Sequence, residues 1–211
     1  EPIIEPVSRS LLLAELTPER KVRNTNKASN EIYIFDAAEC PSLLREIGRL
    51  REVAFRSAGG GTGLAVDIDE EDLAGDGYYQ LIVWDPAEQE IVGGYRFIVC
   101  TSENPRHLST EHYFTFSDKF RKETAYTIEL GRSFVQPSYQ SRGNSKSIYA
   151  LDNLWDGLGA LVVLNPKVKY LFGKVTMYAS YKAMARNALI SFLRPVYFPD
   201  ARVASSWPGK S

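Results

Sequence analysis

The chain has 211 residues, with 25 Lys and Arg against 26 Asp and Glu. That length fits one domain, or one domain with an extension, and the composition is that of a globular chain. The net charge of −1 argues against a general nucleic-acid binder, and no apolar run is long enough to span a bilayer.

Residues 1–30 read as an N-terminal arm and residues 31–211 as the main domain. The chain opens on Glu1 rather than Met, so its extreme N-terminus reads as trimmed; no signal peptide is visible. Residues 10–16 suit a short helix, ended by Thr17-Pro18. Polar residues 24–30 lead into a strand over 31–35. Pro41 suits the first position of a helix. Leu43, Ile47, Leu50 and Ala54 recur at helical spacing, and Gly59-Gly60-Gly61 stops the run. Residues 78–84 and 90–100 form two strands of a hairpin around Asp85-Pro86. Gly93-Gly94 in the second suggests a bulge or a close backbone approach. A polar connection precedes a strong strand over 125–135, which Gln136-Pro137 ends. A helix over about 145–163, a strand over about 168–177, a helix over about 181–193 and a strand at Val196-Tyr197-Phe198 complete the order. The sum is an α+β sheet flanked by helices.

Charge is unevenly placed along this order. Residues 59–90 hold nine acids and no Lys or Arg, whereas residues 165–211 hold eight bases and one acid. Two solvated faces account for this, and so does a basic docking surface for an acidic partner or an anionic membrane. Cys40 and Cys100 form no CxxC pair and have no nearby His, which fits a reducing compartment without a zinc site.

Three segments carry candidate chemistry. In Glu129-Leu130-Gly131-Arg132-Ser133, regular alternation would point Glu129 and Arg132 to opposite faces, and a bulge at Gly131 would bring them to one side. A bulged strand also leaves amides near Ser133 to Val135 available to an oxyanion. A structural Glu–Arg ion pair explains the same residues. Gln140-Ser141-Arg142-Gly143-Asn144-Ser145, between a strand and a helix, suits amides approaching a phosphate, or a plain polar loop. The acidic run from Asp67 to Asp72 lacks the spacing of a calcium loop. It fits a solvated loop, or Asp69 and Asp72 paired with Arg51, Arg96 or Arg132 around an amino-acid substrate. His107 and His112 read as surface residues. Tyr178 and Tyr181 read as core aromatics that could also donate a proton to a leaving thiolate.

In order and spacing these pieces resemble a known group. Arg51 and Phe55 lie one turn apart, Asp69 and Asp72 are three apart, Gly94 and Arg96 share a strand, and Glu129, Arg132 and Val135 form E-L-x-R-x-x-V. The pattern resembles the GNAT-like family that joins the ornithine- and glycine-lipid N-acyltransferases, some with a hemolysin-like label, to the acyl-homoserine-lactone synthases. Residues 51–56 and 151–158 look most like the Bacteroidetes glycine N-acyltransferase branch. The resemblance covers about residues 43–193.

It implies a GNAT-like fold with a central mixed, mostly antiparallel sheet. It implies transfer of a long, 3-hydroxylated acyl chain from acyl carrier protein to the α-amine of an amino acid, foremost glycine, in amino-acid-lipid synthesis. Acyl-CoA is the alternative donor, and no cofactor is tightly bound. Catalytic roles would fall to Glu129, Arg132, Arg96, Asp69 and Asp72. Substrate binding would fall to Arg51, Phe55, Ser133 and Val135. Phosphopantetheine would meet Gln140, Arg142, Gly143, Asn144 and Ser145. Acyl carrier protein would be the partner of a cytoplasmic enzyme, with peripheral contact at the inner membrane. The lactone synthases carry a Trp after the first long helix, tied to S-adenosylmethionine. Here Gly59 to Gly63 stands instead, which favours a smaller amine. For this branch the chain is short at its C-terminus, so part of the acyl or acceptor pocket is expected beyond it. Two rival readings are an acetyl-CoA-dependent N-acetyltransferase and a non-catalytic acyl or carrier-protein binding module.

Overall fold

A computed structural model of the protein describes residues 1–74, 77–101, 108–140, 147–178 and 180–197. The α-helices are α1 (Arg9–Glu15), α2 (Pro41–Ser57), α3 (Glu70–Leu73), α4 (Asp118–Thr124), α5 (Ser147–Leu164) and α6 (Ala183–Tyr197). The strands are β1 (Lys21–Asn24), β2 (Glu31–Asp36), β3 (Tyr79–Asp85), β4 (Glu90–Val99), β5 (Thr127–Val135) and β6 (Tyr170–Gly173). The chain divides into two compact units, Glu1–Ile98 with Leu130–Val168, and Val99–Glu129 with Lys169–Ser211.

In the first unit the strand order is β1-β2-β3-β4-β5, and β1 to β4 pair antiparallel. Helix α2 begins at Pro41, where the absent N–H costs no helical bond. The Glu15 carboxylate, at the end of α1, accepts from the Ser42 and Leu43 amides at 3.0 and 2.8 Å, satisfying two donors that the helix start leaves over. Leu43, Ile47, Leu50 and Ala54 then pack with Tyr33, Phe35, Ile82, Trp84, Ile91 and Phe134 in one core. Each large side chain so buried contributes about 1.5–3 kcal/mol. The helix ends at Gly59, whose φ of +86° is the left-handed conformation a glycine adopts without strain.

The Gly93-Gly94 pair realises both expectations held for it. Between Val83 and Trp84 the β3–β4 register shifts, so Val92 has no opposite number on β3. A Cβ at Gly93 would stand 2.5 Å from the Phe134 carbonyl oxygen, and one at Gly94 would stand 2.5 Å from that of Leu81. These strands approach too closely for a side chain.

In the second unit the Cys100 amide bonds the Thr127 carbonyl at 3.0 Å, and the Lys169 amide bonds the Tyr126 carbonyl at 2.8 Å, at the start of β6. A turn of 3-10 helix, Ser109–His112, and α4 fill what reads in the sequence as a featureless polar connection. Phe116, Phe120 and Phe172 form a small aromatic cluster with centroids 4.7, 5.0 and 5.9 Å apart. The strand expected at Val196-Tyr197-Phe198 is not formed at its first two residues. Helix α6 continues through Tyr197, and Phe198 lies outside the described residues. Cys40 and Cys100 are buried, and among the described residues no helix is long and apolar enough to cross a membrane.

Candidate active site

The acidic run is a folded feature of the first unit rather than a solvated loop. Asp69 caps α3, accepting from the Asp72 amide at 3.2 Å, while the Asp72 carboxylate accepts from the Asp69 amide at 3.2 Å. This reciprocal box fixes two acids one turn apart.

Three guanidiniums meet them. Arg51, from α2, donates through Nη1 to both Asp72 oxygens at 3.1 and 3.0 Å, and through Nη2 to Gln80 Oε1 at 2.7 Å. Gln80 returns a bond to Asp72 at 2.9 Å. Arg96, from β4, donates to Asp69 and to Glu71, each at 2.5 Å, and lies 3.2 Å from Asp72. Its guanidinium stacks 4.8 Å from the Tyr78 ring centre. Arg132, from β5, donates to Asp67 at 3.0 Å and to Asp69 at 3.1 Å.

Burial separates the three. The side chains of Arg51 and Arg96 are 0% and 3% exposed, whereas that of Arg132 is 32% exposed. Burial alone would raise the Asp69 carboxyl, but hydrogen bonds and charge from Arg96 and Arg132 outweigh it and hold the group well below the usual carboxylate range. Asp67 goes the other way. Burial pushes its carboxyl up, against the opposing charges of Arg132 and Arg51. Arg51 is lowered by burial, while Arg96 is raised because its acidic partners overcome the same penalty.

The irregularity expected at Gly131 falls one residue later. Arg132 itself takes the left-handed conformation, with φ of +51°. A Cβ at Gly131 would stand 3.5 Å from Arg96 Nε, so the glycine lies flat against that side chain. Position 132 accepts a backbone cost there, and its guanidinium is held by two carboxylates.

In the second unit Glu129 is 1% exposed. The amides of Ser109 and Thr110 donate to its carboxylate at 3.0 Å each, the Ser109 hydroxyl at 3.3 Å, and the Thr110 hydroxyl also donates. Glu129 and Arg132 each have partners of their own among the described residues. Ser109, Thr110, Asp67, Glu71 and Gln80 were not singled out by spacing, although the Ser-Thr step opening a turn is a known amide-and-hydroxyl donor set.

Of the remaining expected residues, Phe55 packs against the core and Ser133 is exposed on β5. Val135 offers its carbonyl to Gln140 Nε2 at 2.5 Å. A cavity of about 380 Å³ is lined by Val135, Tyr139, Gln140, Ser147, Ala150 and Leu151, at the start of α5. Arg142, Gly143, Asn144 and Ser145 lie outside the described residues, as does His107. His112 is exposed. Tyr178 and Tyr181 meet edge to face with centres 5.8 Å apart.

Arg51 of α2, Asp69 and Asp72 at α3, Arg96 of β4 and Arg132 of β5 thus form one network in the first unit. The family model described as the acetyltransferase (GNAT) domain matches residues 50–150. The chain is 56% identical over 201 residues to a glycine N(alpha)-acyltransferase of Bacteroides thetaiotaomicron, covering 92% of this chain and 60% of the relative. It is 53% identical over 200 residues to one of Phocaeicola vulgatus, covering 92% and 61%. The chain thus carries the GNAT fold and is related to the Bacteroidetes glycine N-acyltransferases, as its motifs led us to expect. It spans about 60% of the length of these relatives. Among solved structures, an aminoglycoside acetyltransferase from an uncultured soil metagenomic sample aligns at 13% identity. Its TM-score is 0.43, with 86% of this chain and 96% of that one covered, too distant a likeness to inform function.

Proposed function

We propose that this chain is the catalytic part of an N-acyltransferase that moves an acyl group from a phosphopantetheine thioester to the amine of glycine. The observation that carries the reading is the guanidinium–carboxylate network, in which Arg132 keeps exposed surface while Arg51 and Arg96 are enclosed. The names of the two relatives support the same acceptor.

In this reading Arg132 receives the acceptor carboxylate as a bidentate partner. Arg96, Asp69, Glu71 and Asp72 hold that region rigid, and Arg51 locks Asp72 from below. Phe55 fixes the helix that carries Arg51. The glycine ammonium first loses a proton; the amine then attacks the thioester carbon. A C–N bond forms, the C–S bond breaks, and the leaving thiolate takes up a proton to become the thiol. Glu129 accepts the amine's proton, relayed through water or the Thr110 hydroxyl that already donates to it. Amides of β5 near Ser133 and Val135 stabilise the oxyanion. Gln140 and the cavity at the start of α5 take the pantetheine phosphate, with the helix dipole favouring its charge. The donor is a long, 3-hydroxylated acyl chain on acyl carrier protein, the product an aminolipid precursor, and the setting the cytoplasmic face of the inner membrane.

The test is Glu129→Gln in the intact protein, with acyl-carrier-protein thioester and glycine. The variant loses roughly a hundredfold or more in kcat. Unchanged turnover in a folded variant removes Glu129 as the base.

A further inference from the structure

Asp67 belongs to no part of the motif pattern, yet it holds the most accessible guanidinium of the network. Its main-chain N–H donates to the Gly48 carbonyl of α2 at 2.9 Å. A Cβ at Gly48 would stand 2.5 Å from Ile68 Cγ1, so the bare glycine is what lets residues 66–68 lie on the helix. Thus placed, the Asp67 side chain is 2% exposed, and both its oxygens lie 3.0 Å from Arg132 Nη1. Asp69 takes Arg132 Nη2 at 3.1 Å. A guanidinium carries five N–H donors, so two carboxylates leave donors over for a third. Asp67 is buried against its own charge, and Arg132 offsets that cost only while it stays in place.

We infer that Asp67 is a positioning residue. By gripping one edge of Arg132 it fixes the guanidinium in the pose that receives the acceptor's carboxylate, and so sets the preference for an amino acid over a plain amine. The inference rests on the glycine-acylating reading above. Asp67 touches no substrate in it and acts through Arg132.

The experiment compares acyl transfer by the intact protein to glycine and to glycinamide, which keeps the amine and lacks the carboxylate. Asp67→Asn, close to isosteric, raises KM for glycine roughly tenfold. Its kcat stays within about threefold and KM for glycinamide does not move, since only an interaction with the carboxylate is lost. An unchanged glycine KM, or an equal rise for both acceptors, overturns the inference. If circular dichroism shows the Asn variant unfolded, Arg132→Lys keeps the charge and loses the planar fork. It is expected to lose the preference for glycine, and wild-type discrimination in it overturns the inference. Wild-type protein that acylates neither acceptor removes the glycine reading and this inference with it. Wild-type turnover on glycine with an unaltered Asn variant removes the inference alone.

Discussion

Arg51, Arg96 and Arg132 each meet an aspartate, but in different amounts of water. Arg51 is fully enclosed, with both terminal nitrogens engaged and its Nε without a hydrogen-bond partner among the described residues. Removing one side of such a pair strands a buried charge, so Arg51→Gln should destabilise the fold by roughly 3–5 kcal/mol. Chemical denaturation reads that directly, and a loss below 1 kcal/mol would mean that the site takes in water freely. Arg51, Asp69, Asp72, Arg96, Glu129 and Arg132 were all legible from their order along the chain. Their pairings were left open, because spacing reports which residues share a local face and says nothing of contacts 21 or 63 positions apart. Gln80, Ser109 and Thr110 stayed hidden for that reason, and Asp67 read only as part of the acidic run. Each matters through a partner distant in sequence.

At the scale of elements, α2 illustrates how one helix sets several parts of the molecule. Its apolar stripe builds the core, Gly48 receives residues 66–68, and Glu52 ties down the glycine-rich segment after it. Glu52 accepts from the Thr62 amide and hydroxyl at 2.9 and 2.7 Å, from the Gly63 amide at 2.9 Å and from Arg56 at 2.8 Å. Burial would raise its carboxyl, but these donors outweigh that and lower it from 4.5 to about 2. Its folded value lies below its unfolded one, so the unfolded chain binds more protons in between. The stabilisation is complete above about pH 4.5 and is lost as pH falls toward 2. Glu52→Gln should flatten the acid limb of a stability–pH curve in that window; an unchanged limb would assign acid unfolding to other carboxylates. Gly48→Ala adds a methyl where Ile68 already stands, and overpacking of this kind costs about 1–3 kcal/mol, partly offset by alanine's better helix propensity. Thermal unfolding measures the balance, and the same variant should raise the glycine KM by displacing Asp67.

Elements with strong periodicity, namely α2 and β2 to β5, were legible because their side-chain pattern is the pattern of burial. The short α3 and α4 bury little and left no such trace. Val196-Tyr197 was misread because branched and aromatic residues favour strands, whereas α6 runs on to Tyr197.

For the whole molecule, the near-zero net charge conceals a polarity that bears on the donor. Residues 165–211 carry eight bases and one acid, and in the described part Lys182 is exposed at the start of α6, with Arg186 half-buried one turn on. A carrier protein and coenzyme A both present a pantetheine thioester, and they differ in the large acidic surface that only a carrier protein brings. Basic residues would act on that surface by steering its approach and holding its rim, effects that salt screens. The double change Lys182→Glu with Arg186→Glu should therefore raise KM for the carrier-protein thioester roughly tenfold at low salt, and less at high salt. With the matching acyl-CoA, KM should stay where it was, because coenzyme A brings no such surface. Parallel titrations with the two donors in the intact protein decide the matter. An equal change for both would place these bases in the thioester site itself, and no change for either would return the basic segment to the role of a solvated face.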